Sequence, residues 1–412
     1  MLKQYIKQAL QMLKENRLVS IVSIVGTALA ISLVMVMIML FQIKTANYPP
    51  ENHRDRTIYV SVQSKPRPGV AGHTNNTGFS YTMVKECIYT LQSTDVATAT
   101  NYGSKCQLAL PTKSLYADYR VKGTDANFWK AFNFHFLEGR PYNEDEVESS
   151  LPLVVLSKEI AILMYGEEKA VGQSILIDRK PHRVIGVVND VTQAASTAYS
   201  QAWVVLTSND DNLTSRDEET CGNLLITLIA PKKGDIPKMK EELKQKVKQF
   251  SDNRQSFTVK EIVYNFYEMA IGSTREYILQ GSLVILFLLL LPAINLTGIT
   301  MNNIRQRSSE IGIRKSFGAT KETLMGQILM ENLVITAIGA IIGFGLSFVF
   351  IYISRSFLLT ADTMLTIPML LQPLNFVAAV FFCLFMNLLS AGIPAWRMAR
   401  KPIVVSLMGS PS

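Results

Sequence analysis

The sequence predicts a membrane α-helical protein with four transmembrane helices and a large extracytoplasmic mixed α/β domain inserted between helices 1 and 2. Three observations carry the prediction. Only 18% of the 412 residues are charged, below the roughly 25% usual in soluble domains, and mean hydropathy is +0.18. Four stretches, 18–43, 277–304, 332–354 and 363–396, contain no charged residue and meet the need of a spanning helix for about 20 apolar residues. The net charge of +8 is also spread unevenly along the chain.

Residues 1–17 read as a cytoplasmic amphipathic segment, with Lys3, Lys7, Lys14 and Arg17 against Glu15. The apolar run of the first helix exceeds the roughly 7–15 residues of a signal-peptide core, and no convincing cleavage site follows, so it is expected to be an uncleaved anchor. Segment 305–331 carries Arg305, Arg307, Arg314, Lys315 and Lys321, and the tail 397–412 carries Arg397, Arg400 and Lys401. By contrast, positive and negative side chains balance in 44–276, and Arg355 balances Asp362 in the short loop 355–362. The cationic excess therefore flanks the spans on one side. By the positive-inside rule both termini and 305–331 are cytoplasmic, while 44–276 and 355–362 lie outside. This distribution accounts for the basic pI without nucleic acid.

Within 44–276, Thr57–Gln63 alternates like a strand. Ser80–Leu91 places Tyr81, Val84, Ile88 and Leu91 on one helical face, and Val96–Tyr102 reads as a second strand. A matching unit closes the domain. Asn223–Ala230 and Phe257–Val263 are strands, and between them Ile236, Met239, Leu243, Val247 and Phe250 form the apolar stripe of a lysine-rich helix. The two units bracket an insert near 104–220, mainly β, with strands at Leu153–Leu156, Ser174–Asp178 and Arg183–Val188 and a helix near 158–165. The lysines at 238, 240, 244, 246 and 248 are expected on that helix's solvated face, with an anionic ligand as the sharper alternative.

Catalytic and metal-binding patterns are missing from the sequence. His53, His73, His135 and His182 lack metal-ligand spacing. Cys87, Cys106 and Cys221 are odd in number; a Cys87–Cys106 bridge and isolated buried thiols both remain open, and Cys383 is read as packing in the last span. A phosphate-cradling loop needs two glycines framing four residues, then Lys and Ser or Thr; Gly312 and Gly318 are wrongly spaced for it. Glu144, Asp145, Glu146 and Glu148 are expected to form a solvated loop after Pro141, lacking the alternating oxygens and turn glycine of a calcium site. No cofactor is expected in this chain.

The most specific string is EIGIRKSFGAT, residues 310–320. Ser308 or Ser309 can cap a short helix, Glu310 suits its N-terminal dipole, and Arg314 and Lys315 suit its C-terminal end. Gly318 ends it, and Thr320 can cap the next helix. Such an element serves either as an interfacial anchor or as a lever for a cytoplasmic partner, and the residue pattern leaves both open.

INLTGITMNNIRQRSSEIGIRKSFGAT (294–320) resembles the signature of FtsX-type permeases, the membrane subunits of MacB-like ABC transporters. IPAWRMARKPIVVSL (393–407) resembles the closing motif of that family. FWKAFNFHFLEGRPY (128–142), LVVLSKEIAILMYG (153–166) and VGQSILIDRKPHRVIGVVND (171–190) resemble its periplasmic core domain. The resemblance implies that Glu310, Ile311, Gly312, Ile313, Arg314, Lys315, Gly318 and Ala319 contact a separate ABC ATPase, which binds the ATP and magnesium. It implies a non-catalytic permease subunit in the bacterial cell (inner) membrane, with its large domain periplasmic, coupling ATP hydrolysis to efflux or export from the periplasm or outer leaflet. Lipoprotein extraction, or signalling to a cell-wall hydrolase or sensor, are the alternatives. Ser316 and Phe317 depart from the smaller or aliphatic residues common after the Arg-Lys pair.

Gly339 and Gly343, with Gly345 beyond, form a small-residue strip in the third span, and Gly26 and Ala30 do so in the first. Such strips allow close helix approach, within one subunit or across a dimer seam. Pro292 is expected to kink the second span, and Asn295 to find a partner across helices. Four helices are too few to enclose a wide path, which favours pairing with a second copy or a paralogous permease. A periplasmic adaptor and an outer-membrane channel are the further partners expected for export.

Overall fold

The computed structural model describes residues 11, 17–70, 72–110, 113–166, 168–208, 222–254, 256–271, 316–318 and 320–358, with isolated positions at 279, 283, 313, 381, 385 and 392. The chain divides into two compact units. One is Met1–Ile43 with Thr274–Ala361 and Thr366–Ser412; the other is Lys44–Ser273 with Asp362–Leu365. Of the predicted spans 277–304 and 363–396, only the isolated positions 279 and 283 in the one and 381, 385 and 392 in the other are described.

Helix α1 (Arg17–Thr45) contains Ser20–Leu40, a run long and apolar enough to cross a membrane. The chain then builds the open part of a sheet with β1 (Thr57–Pro66), β2 (Asn75–Thr77), α2 (Tyr81–Met83, continued by a π turn over Val84–Ile88) and β3 (Val96–Asn101). The Ser80 side chain accepts a hydrogen bond from the Met83 N–H (3.2 Å) and so caps α2.

The insert follows: β4 (Ser104–Leu110), β5 (Lys113–Thr124), α3 (Phe128–Ala131), β6 (Phe136–Gly139), α4 (Glu144–Glu148), β7 (Leu153–Ser157), α5 (Lys158–Tyr165), β8 (Ser174–Ile177), β9 (Lys180–Val188) and β10 (Ala202–Val205). The chain returns through β11 (Leu224–Ile229), α6 (Ile236–Asp252), β12 (Phe257–Asn265) and α7 (Phe266–Ile271). In the other unit, α8 (Lys321–Leu358) contains the second long apolar run, Asn332–Ile353, and continues beyond residue 354, where the sequence places the end of the third span.

The twelve strands of the described residues share one hydrogen-bonded network, but it has two parts. The two strand–helix–strand units make an antiparallel sheet in the order β3–β11–β1–β12. Its inward residues Ile58, Val60, Ile226 and Leu228 meet Met83, Val84 and Ile88 of α2 and its π turn, and Met239, Leu243 and Val247 of α6. The insert makes the second part. β10 pairs antiparallel with β7 and parallel with β5. The path β10–β7–β9–β8–β4–β5 therefore returns to its start, and a six-stranded ring leaves no open edge along that path. Leu108, Val154, Leu156, Ile175, Val184 and Ala202 fill its core with Ile160 of α5.

Among the described residues, the sheet ladder joins ring and open sheet through one residue pair, Thr100 opposite Thr124. Just beyond it, Asp125, 4% exposed, accepts hydrogen bonds from both parts. Tyr89 Oη (2.7 Å), Thr98 Oγ1 and the Ala99 N–H (2.8 Å) donate from the open sheet, and the Phe128 N–H (2.9 Å) donates from the insert.

One expectation is corrected. The acidic cluster is not a loop: Glu144–Glu148 is helix α4. Asn143 and Glu146 form a reciprocal capping box, three acids sit in the first turn where the helix dipole favours them, and Arg140 grips Glu146 through two nitrogens. Cys87 and Cys106 are buried free thiols; Cys221 and Cys383 lie outside the described residues.

Candidate functional site

Ile313, Ser316, Phe317, Gly318 and Thr320 outline an elbow before α8. The Phe317 N–H donates to the Ile313 carbonyl (3.1 Å) and Ser316 Oγ donates to the same oxygen (2.6 Å). Gly318 then takes φ +89°, where a side chain is strained although no atom lies within 4 Å of a Cβ built there. Thr320 Oγ1 accepts from the Thr323 N–H (3.3 Å) and caps α8. Phe317, at the tip, is 88% exposed. An aromatic ring held on a capped elbow is suited to a partner's pocket, because it presents a large apolar area at little conformational cost. Sequence reasoning noticed Phe317 only as a departure; a large aromatic beside a helix-ending glycine in the polar string RKSFG was the signal. Glu310, Ile311, Gly312, Arg314, Lys315 and Ala319 lie outside the described residues, as do Pro292 and Asn295.

Gly339 and Gly343 face α1. A Cβ on Gly339 would lie 2.8 Å from Thr27 Cγ2, and one on Gly343 only 2.5 Å from the Ala28 carbonyl oxygen and 3.2 Å from Ile31 Cβ. Gly345 has nothing within 4 Å. The strip thus lets α1 and α8 approach within one chain, which is the contact small residues permit in an apolar solvent.

Besides Asp125, the described residues of the unit containing the outer domain include three buried charged side chains that the sequence did not single out. Arg54 is 2% exposed and Glu51 3%. Arg54 Nε donates to Glu51 Oε2 (2.7 Å), Nη1 to the Ala46 carbonyl (2.8 Å), and Nη2 to Tyr48 Oη (2.7 Å) and the Ala194 carbonyl (2.9 Å). The guanidinium carbon also stands 3.9 Å from the Tyr48 ring centre and 4.5 Å from that of Phe266. Burial works against the charge of Arg54, but Glu51 and Tyr48 outweigh it and hold its pKa above the ordinary value. Glu51 Oε1 accepts from the Thr197 and Ala198 N–H groups, both at 3.0 Å.

The third charge is Lys122 on β5, 3% exposed, whose Nζ donates to the Thr197 carbonyl (2.6 Å). Burial, reinforced by Arg120, lowers its pKa to about 7. Charges i and i+3 in the proline-containing string YPPENHRDR were the available signal for the Arg54 cluster.

A cleft of about 660 Å³ lies where the open sheet meets the insert. Tyr81, Lys85 and Tyr89 line one wall, and Lys130, Glu144 and Glu148 the other. Lys130 pairs with Glu144 (2.9 Å).

Comparisons with known proteins match both parts of the chain. The family model of the MacB-like periplasmic core domain matches residues 20–246, and that of the FtsX-like permease C-terminal matches residues 282–403. The uncharacterized ABC transporter permease YknZ of Bacillus subtilis is 24% identical over 256 residues, 60% of this chain and 62% of its own length. The macrolide export ATP-binding/permease protein MacB of Wolinella succinogenes is 24% identical over 408 residues, 97% of this chain and 60% of its own length. The chain therefore spans about three fifths of the length of these relatives. The crystal structure of the periplasmic region of MacB from Actinobacillus actinomycetemcomitans aligns at 14% identity and a TM-score of 0.40, over 53% of this chain and 92% of that one.

Proposed function

The chain belongs to the family of ABC transporter permeases that combine a MacB-like periplasmic core domain with an FtsX-like permease C-terminal region, and from that premise we propose that it is the transmembrane subunit moved by a separate ABC ATPase. The observation that carries the proposal is the order of the parts. A mixed α/β domain follows α1, and the capped elbow at 313–320 precedes α8. In this reading four helices cross the bacterial inner membrane, the outer domain stands in the periplasm between the first and second, and both termini are cytoplasmic. Segment 310–320 receives the motion of the ATPase, with Glu310, Arg314 and Lys315 at the contact and Phe317 as its apolar anchor. A second permease copy completes the assembly. The work is export of a substrate taken up outside the cytoplasmic leaflet, with an adaptor and an outer-membrane channel as further partners.

Co-purification with the ATPase tests the coupling step. Glu310 and Arg314 are four residues apart in sequence, a spacing whose pairing on a helix is worth only about 0.2–0.5 kcal/mol, so Glu310→Lys is expected to leave folding and insertion intact. Gly318→Val places a β-branched residue at φ +89° and unseats the elbow. Both variants are expected to reach the membrane at normal levels and to lose ATPase association or its coupling to transport. Variants that insert normally and keep both properties remove the elbow from the mechanism. Variants damaged first in insertion return it to the role of an interfacial anchor.

A further inference from the structure

The cleft between the open sheet and the insert lies within one compact unit, and its walls come from distant parts of the chain. One wall is α2 with its π turn, Val84–Ile88, from which Tyr81, Lys85 and Tyr89 line the cleft at four-residue spacing. Single π turns of this kind are frequent at functional sites. The facing wall is α4, which presents Glu144 and Glu148, with Lys130 of α3 beside it. Ile88, Leu91 and Val147, all buried, give the cleft an apolar floor. Its volume of about 660 Å³ falls within the roughly 300–1,000 Å³ of small-molecule sites, which favour junctions between structural parts.

The two walls act on each other across the space. Burial raises the pKa of Tyr81, and the negative charges of Asp125 and Glu148 raise it further. Tyr89 is raised first by burial and then by Asp125, with Glu144 adding to the effect. The carboxylates of α4 are therefore near enough to be felt by the tyrosines opposite.

Most charged groups of the lining are already partnered. Asp95 pairs with Arg56 (2.9 Å) and Lys130 with Glu144 (2.9 Å), and Asp125 accepts from four donors. Two charges are left. Lys85 Nζ stands 4.7 Å from the Tyr81 ring centre, a contact that holds an ammonium in place without neutralising it. Glu148 closes α4, at the helix end whose carbonyls disfavour a carboxylate. Among the described residues, neither Lys85 nor Glu148 enters an ion pair.

We propose that this cleft binds a small zwitterion with an apolar side chain, an α-amino acid or a short peptide, whose carboxylate meets Lys85 and whose ammonium meets Glu148. The side chain lies on the floor of Ile88, Leu91 and Val147. A simple organic cation would also face Lys85 and a simple anion would also face Glu148, and such like-charge contacts select against both. The site requires neither an ATPase nor motion in the membrane, so it stands or falls apart from the proposed function.

Calorimetric titration of the full chain in nanodiscs tests it. The probes are leucine and leucyl-leucine, each also in its N-acetylated and its C-amidated form. At least one of the two zwitterions is expected to bind, and the tighter of them assigns the site to free amino acids or to peptides. Capping either end of that probe is expected to weaken binding about tenfold, through loss of one charge-assisted contact. Glu148→Gln is expected to abolish the preference for a free ammonium and keep that for a free carboxylate, and Lys85→Gln to do the reverse. General damage to the fold would not give this crossed pattern. Both side chains are exposed, so the variants are expected to melt with the parent. Lys244→Gln, an exposed charge change on α6 outside the cleft, is expected to leave every affinity unchanged. Absence of binding by both zwitterions at millimolar concentration overturns the site. Equal binding of capped and uncapped probes overturns the zwitterion. Parent preferences in both cleft variants overturn the roles of Lys85 and Glu148, and the assignment of the cleft with them.

Discussion

At the scale of single residues, Asp125 ties the two parts of the sheet where they are narrowest. Four donors converge on its two oxygens, so Asp125→Asn puts an amide N–H₂ among donors and leaves some of them unmet. The expected loss is about 2–4 kcal/mol, against about 1 kcal/mol for Thr98→Val, read as denaturant midpoints of the full chain in detergent. Equal losses would mean that Asp125 is not the tie. Lys122 gives a pH signature. Its pKa falls from 10.5 unfolded to about 7 folded because burial penalises the ammonium. Between these values the unfolded chain binds the extra proton, so this residue makes stability rise with pH from about 7 toward 10.5 and reduces it below 7. Lys122→Met is expected to flatten the rise in melting temperature between pH 6.5 and 8.5; an unchanged slope assigns the pH dependence elsewhere. None of these roles was legible in the sequence. Glu51, Arg54, Lys122 and Asp125 belong to a charge-balanced region that reads as solvated, and their burial arises from partners as distant in sequence as Ala194 and Ala198.

At the scale of elements, the contact between α1 and α8 depends on the missing side chain of Gly343. Gly343→Ala forces a methyl against the Ala28 carbonyl, and overpacking of this kind costs about 1–3 kcal/mol. Gly345→Ala, with nothing within 4 Å, is expected to be neutral or slightly stabilising. Cysteine cross-linking between α1 and α8 and the melting temperature of each variant check the pair; equal behaviour would remove the glycine contact. In the outer domain, β1, β3, β11, β12 and α6 were legible because each sends its apolar residues at period 2 or 3.6 into a single core. Closure of the ring was not, since it depends on β10, four residues buried throughout and paired in parallel with a distant β5. Helix α4 was hidden by its charge, because a run of acids looks solvated until Asn143 is recognised as its cap. The elbow was half legible. Gly318 and Thr320 announced a stop and a start, whereas the exposure of Phe317 is a property of the fold.

At the scale of the whole molecule, the proposed function requires the outer domain on one side of the membrane and the elbow on the other. ATP binding tests the division of labour between chains. With no phosphate-cradling loop in the sequence, the purified chain is expected to bind ATP no better than background, and tight magnesium-dependent binding would contradict its assignment as the moved subunit. The central claim is the separation of outer domain and elbow by the bilayer, because without it no motion could pass from a cytoplasmic ATPase to the ring. A membrane-impermeant maleimide applied to intact cells tests it most directly, in a chain whose four native cysteines are replaced. A cysteine replacing Asn75, exposed on β2, is expected to be modified, and one replacing Ser308 to be protected until the membrane is opened. Modification at Ser308 from outside would contradict that separation.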